Sequence, residues 1–268
     1  MQEILLGPAG TPAKSTFEGL EAVKKLGLQA MEVQFSHGIN MSSELAKKIG
    51  EENKKYNIHL SIHAPYYINL ASEEKQKVTD SKKRILESCR LGHLMGARHI
   101  VFHPGYYGKK SKEETYDMIK TEMAEMQKII KNNKWSTALA PETTGKGSQF
   151  GDLDETIRIA KEIKCSMCLD SAHIFARNNG KIDYDEVFDK LRKTKEHHIH
   201  SHFSGVNYSA KGERNHINLG SKPDFFEYAK TIMKKKISIT IISETPITWK
   251  DSLKMKKIFE KMGYRFQN

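Results

Sequence analysis

The stretch NIHLSIHAPYYINL, residues 57–70, decides the fold of this chain. Apolar and polar residues alternate from position 58 to 63, which is the two-residue period of a β-strand. Pro65 cannot donate a hydrogen bond to a neighbouring strand, so we expect the strand to end near His63. An imidazole therefore stands at the carboxyl end of a strand, just before a loop with two adjacent tyrosines.

The same order of apolar run, loop and helical segment recurs along the whole chain. Strand-like runs begin near residues 3, 30, 58, 99, 137, 166, 197 and 237, with helical patterns between them. Strands that alternate with helices predict a parallel sheet, and eight such units in 268 residues predict a closed (β/α)₈ barrel. We expect one TIM-barrel domain over residues 1–268, with every strand's carboxyl end at one face.

The chain carries a formal net charge of +11. That charge favours an anionic partner, nucleic acid before an acidic membrane surface or metabolite, although a lysine-rich surface like that of thermophile proteins explains it equally well. There is neither a visible signal peptide nor an apolar run of membrane-spanning length, which predicts a cytoplasmic protein without membrane contact, and a DNA partner would make it nucleoid-associated. Three cysteines suit a reducing compartment. We interpret the Cys165–Cys168 pair as core, because residues three apart on a strand face opposite sides.

Side chains that bind metals stand at or just beyond the ends of six predicted strands. They are His63, His103, Glu142, Asp170, His173, His202, His216 and Glu244. Imidazole combined with carboxylate suits Zn²⁺, Mn²⁺, Fe²⁺ or Co²⁺, and so many ligands fit two or three ions better than one. Such sites can clamp both oxygens of a phosphoryl displacement. We interpret the remaining histidines of interest as ordinary hydrogen-bonded residues. They are His59, His93, His99, His197, His198 and His200.

The segments that carry these ligands resemble endonuclease IV, the zinc-dependent apurinic/apyrimidinic endonuclease of the barrel type. The matching motifs are His63-x-x-Tyr66-x-x-Asn69-Leu70, Val101-Phe102-His103-Pro104-Gly105, Glu142 with Thr144-Gly145-Lys146-Gly147, Leu169-Asp170-Ser171-x-His173, His202 and Ser243-Glu244-Thr245. The resemblance runs from about strand two to strand eight. It implies a barrel with three zinc ions that acts in base excision repair. The family cleaves DNA 5′ to an abasic site and leaves a 3′-hydroxyl.

The resemblance also assigns roles by position. It implies that His63 and His103 hold one zinc and that Glu142 bridges this ion to a second. The second zinc would be completed by Asp170, His202 and Glu244, and the third would be held by His173 and His216. Glu142 would orient or deprotonate the attacking water, which makes it the expected catalytic residue. Mn²⁺ is an alternative at one of the sites.

One position departs from the family pattern, which has Asp-x-His at the third zinc. This chain reads Gly212-Glu213-Arg214-Asn215-His216, which puts Arg214 where the carboxylate should be. Either Glu213 reaches the ion after a shift of one residue, or the third zinc lacks that ligand. We favour Glu213.

The resemblance makes double-stranded DNA with an abasic site the expected partner and a monomer the expected state. Tyr66 and Tyr67 stand where the family wedges the duplex open. Tyr106, Lys146 and Arg214 are candidate DNA contacts on the rim. The family's second wedge, an arginine, has no clear match in residues 36–40.

Two other functions fit parts of the pattern. A sugar isomerase or epimerase of the xylose-isomerase-like barrel class predicts one or two ions held mostly by carboxylates. A non-enzymatic binder of damaged DNA, which has lost a metal, predicts salt-sensitive binding without cleavage.

Overall fold

Parallel strands form a closed barrel in this computed structural model, which describes residues 2–36, 38–194 and 196–266. Within those ranges, β8 and β9 form an antiparallel hairpin and the other eight strands form the barrel. The strands are β1 (Ile4–Pro8), β2 (Ala30–Gln34), β3 (His59–His63), β4 (His99–Phe102), β5 (Ala138–Pro141), β6 (Cys168–Asp170), β7 (Ile199–Phe203), β8 (Gly205–Ser209), β9 (Gly212–Ile217) and β10 (Ile239–Ser243).

The barrel closes by joining two hydrogen-bonded halves, β1-β10-β7-β6 and β2-β3-β4-β5. Parallel bridges between Ala9 and Glu32 and between Glu142 and Cys168 link these halves. All pairings between barrel strands are parallel, so the carboxyl ends lie at one face. The closed (β/α)₈ barrel predicted from the sequence is confirmed.

Helices cover the outside of the barrel, apart from the short helix α6 (Ser171–Arg177), which lies in the loop after β6. They are α1 (Thr16–Lys25), α2 (Ser43–Tyr56), α3 (Lys75–Met95), α4 (Lys112–Asn132), α5 (Leu153–Ile163), α6 (Ser171–Arg177), α7 (Tyr184–Leu191), α8 (Phe225–Lys235) and α9 (Thr248–Lys261). Their apolar faces are buried, as Leu20, Ile49, Ile85 and Phe259 illustrate. Burying such side chains stabilises the fold by about 1.5–3 kcal/mol each.

Three local details were not specified by the sequence prediction. Strand β1 continues through Pro8, which pairs with Ser243. Proline is tolerated there because the last strand position need not donate a ladder hydrogen bond. The short helix α6 and the β8–β9 hairpin were not predicted, because both lie in loops whose apolar periodicity is weak.

The cysteine pair only partly follows its prediction. Cys168 is buried at the start of β6, as expected for a core residue. Cys165 is half-buried and precedes the strand, so the argument from opposite strand faces does not apply to it. None of the helices in the described ranges is long and apolar enough to cross a membrane.

Candidate metal centre

The barrel brings the predicted ligands together at its carboxyl-terminal mouth. Their ligand atoms fall into groups, and within each group all atoms lie within 4.8 Å of one another. The groups are His63–His103–Glu142, Glu142–Asp170–His202–Glu244 and Asp170–His173–His216. Glu142 and Asp170 each belong to two groups, so the three groups form one continuous cluster.

In the first group, two imidazoles face one oxygen of Glu142. Glu142 Oε2 lies 2.8 Å from His103 Nε2 and 3.4 Å from His63 Nε2. His63 Nδ1 donates to the Ala64 carbonyl over 2.7 Å, which leaves its Nε2 to face the carboxylate. The Nε2 lone pair of a neutral His63 and the Glu142 carboxylate are both acceptors. They can face each other only if a cation lies between them or if Nε2 carries a proton. The orientation matches a metal ligand held by a backbone carbonyl.

The second group places three carboxylates around one imidazole. His202 Nδ1 lies 2.9 Å from Glu142 Oε1 and 3.4 Å from Glu244 Oε1. Asp170 Oδ2 is buried without a hydrogen-bond partner in the described part of the chain. Burial raises the pKa of Glu142, but His202 and His103 outweigh it and hold that pKa well below its usual range. A metal ion bound by these carboxylates would neutralise this concentrated buried negative charge in place of protonated histidines.

The third group contains two imidazole nitrogens that face each other. His173 Nδ1 donates to the Thr143 carbonyl (2.9 Å), and His216 Nδ1 contacts the Glu244 carbonyl at 3.2 Å. When both rings are neutral, as metal ligands must be, each Nδ1 carries its ring's proton and the two Nε2 atoms face each other across 3.4 Å with their lone pairs. Two nitrogens bound to one tetrahedral zinc stand about 3.3 Å apart, given Zn–N bonds of roughly 2.05 Å. The spacing therefore fits two ligands of a shared ion.

Glu213, rather than Arg214, points into this third group. Glu213 Oε2 lies 3.1 Å from His173 Nε2, whereas Arg214 is exposed. In the β8–β9 hairpin, Asn207 pairs with Asn215 and the next residue pairs with Glu213, so Arg214 is an extra, bulged residue. A bulge shifts the alternation of side chains by one residue. Glu213 and His216 can therefore share a face although they are three residues apart.

Two glycines permit this approach of the hairpin. A Cβ at Gly145 would lie 2.7 Å from Glu213 Cβ, and one at Gly212 would lie 2.3 Å from the Gly145 carbonyl oxygen. Gly212 also has a φ of +97°, which L side chains rarely adopt. The backbone of Glu213 donates to the Gly145 carbonyl over 3.0 Å. The hairpin thus docks on the loop that follows β5 and carries Glu213 to the histidines.

Glu32, which was not among the predicted site residues, lies in the middle of β2 and is fully buried. Its Oε2 accepts from His202 Nε2 and from His200 Nε2, both at 3.1 Å, and from Ser61 Oγ at 2.8 Å. Burial raises the pKa of Glu32. The two histidines together lower that pKa by more, so it lies well below its usual value. The predicted ligands stand at or beyond strand ends, and Glu32 does not. A lone carboxylate inside a strand of otherwise uncharged residues was the signal that could have found it.

Three exposed tyrosines stand beside the cluster. Tyr66, Tyr67 and Tyr106 are 52%, 71% and 45% exposed, and they line a cavity of about 390 Å³. The Tyr66 ring meets the His63 ring edge-on, with 5.3 Å between centroids. Of the basic candidates, Lys146 and Arg214 are both exposed. His37, in the loop where the second wedge was sought, lies outside the described residues.

The match to a family model covers residues 20–260, and the family is described as a xylose isomerase-like TIM barrel. The chain belongs to this family. An uncharacterized protein of Methanocaldococcus jannaschii is 36% identical over 270 residues, covering 97% of this chain and 98% of that protein. A probable endonuclease 4 of Metamycoplasma arthritidis is 28% identical over 211 residues, covering 72% of this chain and 74% of that protein.

Solved structures of two kinds share the fold equally well. Endonuclease IV from Thermus thermophilus has a TM-score of 0.74 and 18% identity, covering 97% of this chain and 98% of that one. A D-tagatose 3-epimerase-like protein also has a TM-score of 0.74 and 18% identity, with coverage of 97% and 96%. At such identities the likeness shows the fold alone. The choice between a nuclease and an epimerase must therefore come from the side chains that can bind metal at the barrel mouth.

Proposed function

We propose that this protein is a zinc-dependent apurinic/apyrimidinic endonuclease, which hydrolyses the DNA phosphodiester bond 5′ to an abasic site and leaves a 3′-hydroxyl. The observation that carries this proposal is the continuity of the three ligand groups through Glu142 and Asp170. A single ion takes about four ligands, often with one of them water. A cluster of nine side chains, including Glu213, suits three ions better.

The proposed division follows the groups, except that Glu213 takes the place of Asp170 at the third ion. His63 and His103 would hold one ion, with Glu142 shared. Asp170, His202 and Glu244 would complete the second. The third would be held by His173, His216 and Glu213, whose carboxylate lies 3.1 Å from His173 Nε2.

The protein's own residues have defined tasks in this reaction. Bound zinc supplies charge neutralisation at the phosphate and lowers the pKa of a water molecule. The pKa of Glu142 lies well below its usual range, so the carboxylate is ionised and can accept a hydrogen bond that orients the attacking water. The carbonyls of Ala64 and Thr143 fix the rings of His63 and His173, so little reorganisation is needed during the reaction.

The rim fits a DNA substrate that has lost a base. An abasic nucleotide leaves a gap in the base stack, and a flat side chain can fill such a gap. Tyr67 is the most exposed of the three rim tyrosines, and Tyr66 stands directly over His63. The net charge of +11 favours contact with phosphates. The rim tyrosines stand beside the ligand cluster. An abasic site held by them would therefore have its phosphate at this cluster.

A second candidate function is sugar epimerisation, which the D-tagatose 3-epimerase-like neighbour brings into consideration. The group Glu142–Asp170–His202–Glu244 can hold one ion by itself, as such an enzyme requires. The pairs His63–His103 and His173–His216 are then unexplained. For this reason we rank epimerisation second.

The deciding experiment uses a labelled DNA duplex with one abasic site, incubated with zinc-loaded protein with and without chelator. We expect a single nick 5′ to the site that chelator abolishes and zinc restores. An intact duplex under zinc-replete conditions would contradict the proposal. Turnover of ketohexoses by the same preparation, without nicking, would establish the epimerase instead.

Glu142→Gln separates catalysis from binding. The amide keeps the shape of the side chain but loses its charge and basicity, so we expect at least a roughly 10³-fold loss of nicking with little change in affinity for the abasic duplex. The matched control is Glu51→Gln on the exposed surface of α2, which should nick normally. Tight binding by the wild type without nicking would identify the non-enzymatic binder.

A further inference from the structure

A second set of histidines lies inside the barrel, at the opposite end from the mouth. His59 and His99 begin β3 and β4, His198 directly precedes β7, and His200 is the second residue of β7. Their rings pack face to face: the centroids are 5.8 Å apart for His59–His99, 4.8 Å for His99–His200 and 5.7 Å for His59–His198. The proposed endonuclease reaction uses none of them.

Three of these rings each have a buried nitrogen without a hydrogen-bond partner in the described ranges. The atoms are His59 Nε2, His99 Nδ1 and His200 Nδ1. A buried polar atom without a partner costs about 1–3 kcal/mol, so three in one place need an explanation. Each ring also offers one nitrogen to a common group in which all three atoms lie within 4.8 Å of one another. The interpretation of these residues as ordinary hydrogen-bonded histidines does not account for this nitrogen on each ring.

Glu32 fixes the protonation pattern of His200. Its ionised carboxylate can only accept, so His200 Nε2, which is 3.1 Å away, must carry the proton. In the neutral ring, Nδ1 then keeps its lone pair. A histidine whose other nitrogen donates to a carboxylate is the common arrangement for a metal ligand.

The fourth histidine is excluded as a ligand by its own contacts. His198 Nε2 lies 2.8 Å from Thr240 Oγ1, and His198 Nδ1 lies 3.3 Å from Glu3 Oε2. Both of its nitrogens are therefore engaged, and its ring packs against His59. Arg98 lies near these rings and lines the same cavity as His59.

We propose that His59, His99 and His200 form a second metal site, a trihistidine site for a transition-metal ion of the zinc class. Three imidazoles with one open position suit zinc, cobalt and copper. Neighbouring rings lie within 23° of parallel, so on binding they must turn until their in-plane lone pairs converge and the nitrogens move from within 4.8 Å to the roughly 3.3 Å that a tetrahedral ion requires. His59 also lines a cavity of about 370 Å³ at this end of the barrel, which offers a route for the ion and a water for the fourth position.

The test counts metal ions bound to purified protein, because this readout does not depend on DNA cleavage. Metal-free protein is titrated with Co²⁺ or Zn²⁺, and bound metal is measured after desalting. We expect wild type to hold one ion more per chain than His59→Gln or His99→Gln. The matched control is His197→Gln, because His197 is exposed and lies just before β7, the strand that carries His200. It should hold the wild-type number.

Equal metal content in all four proteins would overturn the proposal. A crystal of the wild type grown with zinc provides a test that does not depend on whether the variants fold. An anomalous zinc peak between the three rings supports the site. Ordered water there instead of zinc would overturn it, even if the mouth is fully loaded.

Discussion

Glu32 Oε2 lies 3.1 Å from His202 Nε2, in the barrel interior directly beneath the candidate metal centre. The opposite nitrogen of the same ring, His202 Nδ1, lies 2.9 Å from Glu142 Oε1. Glu32 therefore holds the ring from below while its other edge faces the ligand cluster. Groups that hold metal ligands in this way typically change metal affinity by about 10- to 100-fold when they are removed.

We therefore expect Glu32→Gln to weaken metal binding at the mouth by about 10- to 100-fold. The amide cannot accept from His202 and His200 as strongly, so the His202 ring loses its fixed orientation. The measurement is cleavage of abasic duplex as a function of free zinc: activity should fall at limiting zinc and recover at high zinc. Glu44→Gln, an exposed change on α2, is the control. Unchanged zinc dependence would show that Glu32 does not position His202.

The bulge in the β8–β9 hairpin leads to a prediction about neighbouring residues. Glu213→Gln should lower the zinc content of the purified protein, because it removes the carboxylate 3.1 Å from His173 Nε2. Arg214→Gln is the matched control, since Arg214 is exposed and should leave zinc content unchanged while weakening DNA binding in a salt-dependent way. Loss of zinc in the Arg214 variant alone would show that Arg214, and not Glu213, supports the third ion.

The barrel and the mouth were predictable because both depend on local signals. Alternation in residues 58–63 and the proline that follows locate the end of β3 and, with it, His63. The parallel barrel then brings the strand ends together irrespective of their separation along the chain. The predicted ligands at the mouth are far apart in the sequence. Their meeting in space could therefore be predicted by locating the end of each strand separately.

The remaining parts of the site depend on geometry that a one-dimensional pattern does not encode. The inward position of Glu213 requires the register of the hairpin, which a single bulged residue changes. Glu32 lies within a strand and finds its histidine partners on β7, across the barrel. The unpaired nitrogens of His59, His99 and His200 depend on ring rotations that the sequence does not specify.

A pH-dependent prediction concerns Glu196, away from the mouth. Burial raises its pKa to about 7 from an ordinary 4.5, although Ser166 Oγ donates to its Oε1 and lowers the pKa. Between these values the folded protein keeps a proton that the unfolded chain has lost, so stability falls as the pH rises through this window. Glu196→Gln should therefore be more stable than wild type at about pH 8, by about 1–3 kcal/mol, and equally stable at about pH 4.

The measurement for Glu196 is urea denaturation of both proteins at several pH values. Glu186→Gln, on α7, serves as a control for removing one negative charge, because Glu186 is exposed. A constant difference between Glu196→Gln and wild type across the whole range would contradict the raised pKa. A difference that increases from about pH 5 to about pH 7 would agree with it.

The rim tyrosines should differ in what they contribute. Tyr67 is 71% exposed, so Tyr67→Ala should weaken binding of an abasic duplex by about 1–3 kcal/mol, the range for one base–aromatic stacking contact, and leave zinc content unchanged. Tyr66 packs against His63, so Tyr66→Ala should also lower activity at limiting zinc. Phe226→Ala, an exposed aromatic change on α8, is the control in titrations with abasic and intact duplexes. Equal affinity of wild type and Tyr67→Ala for the abasic duplex would assign Tyr67 to the surface of the loop and remove it from the DNA interface.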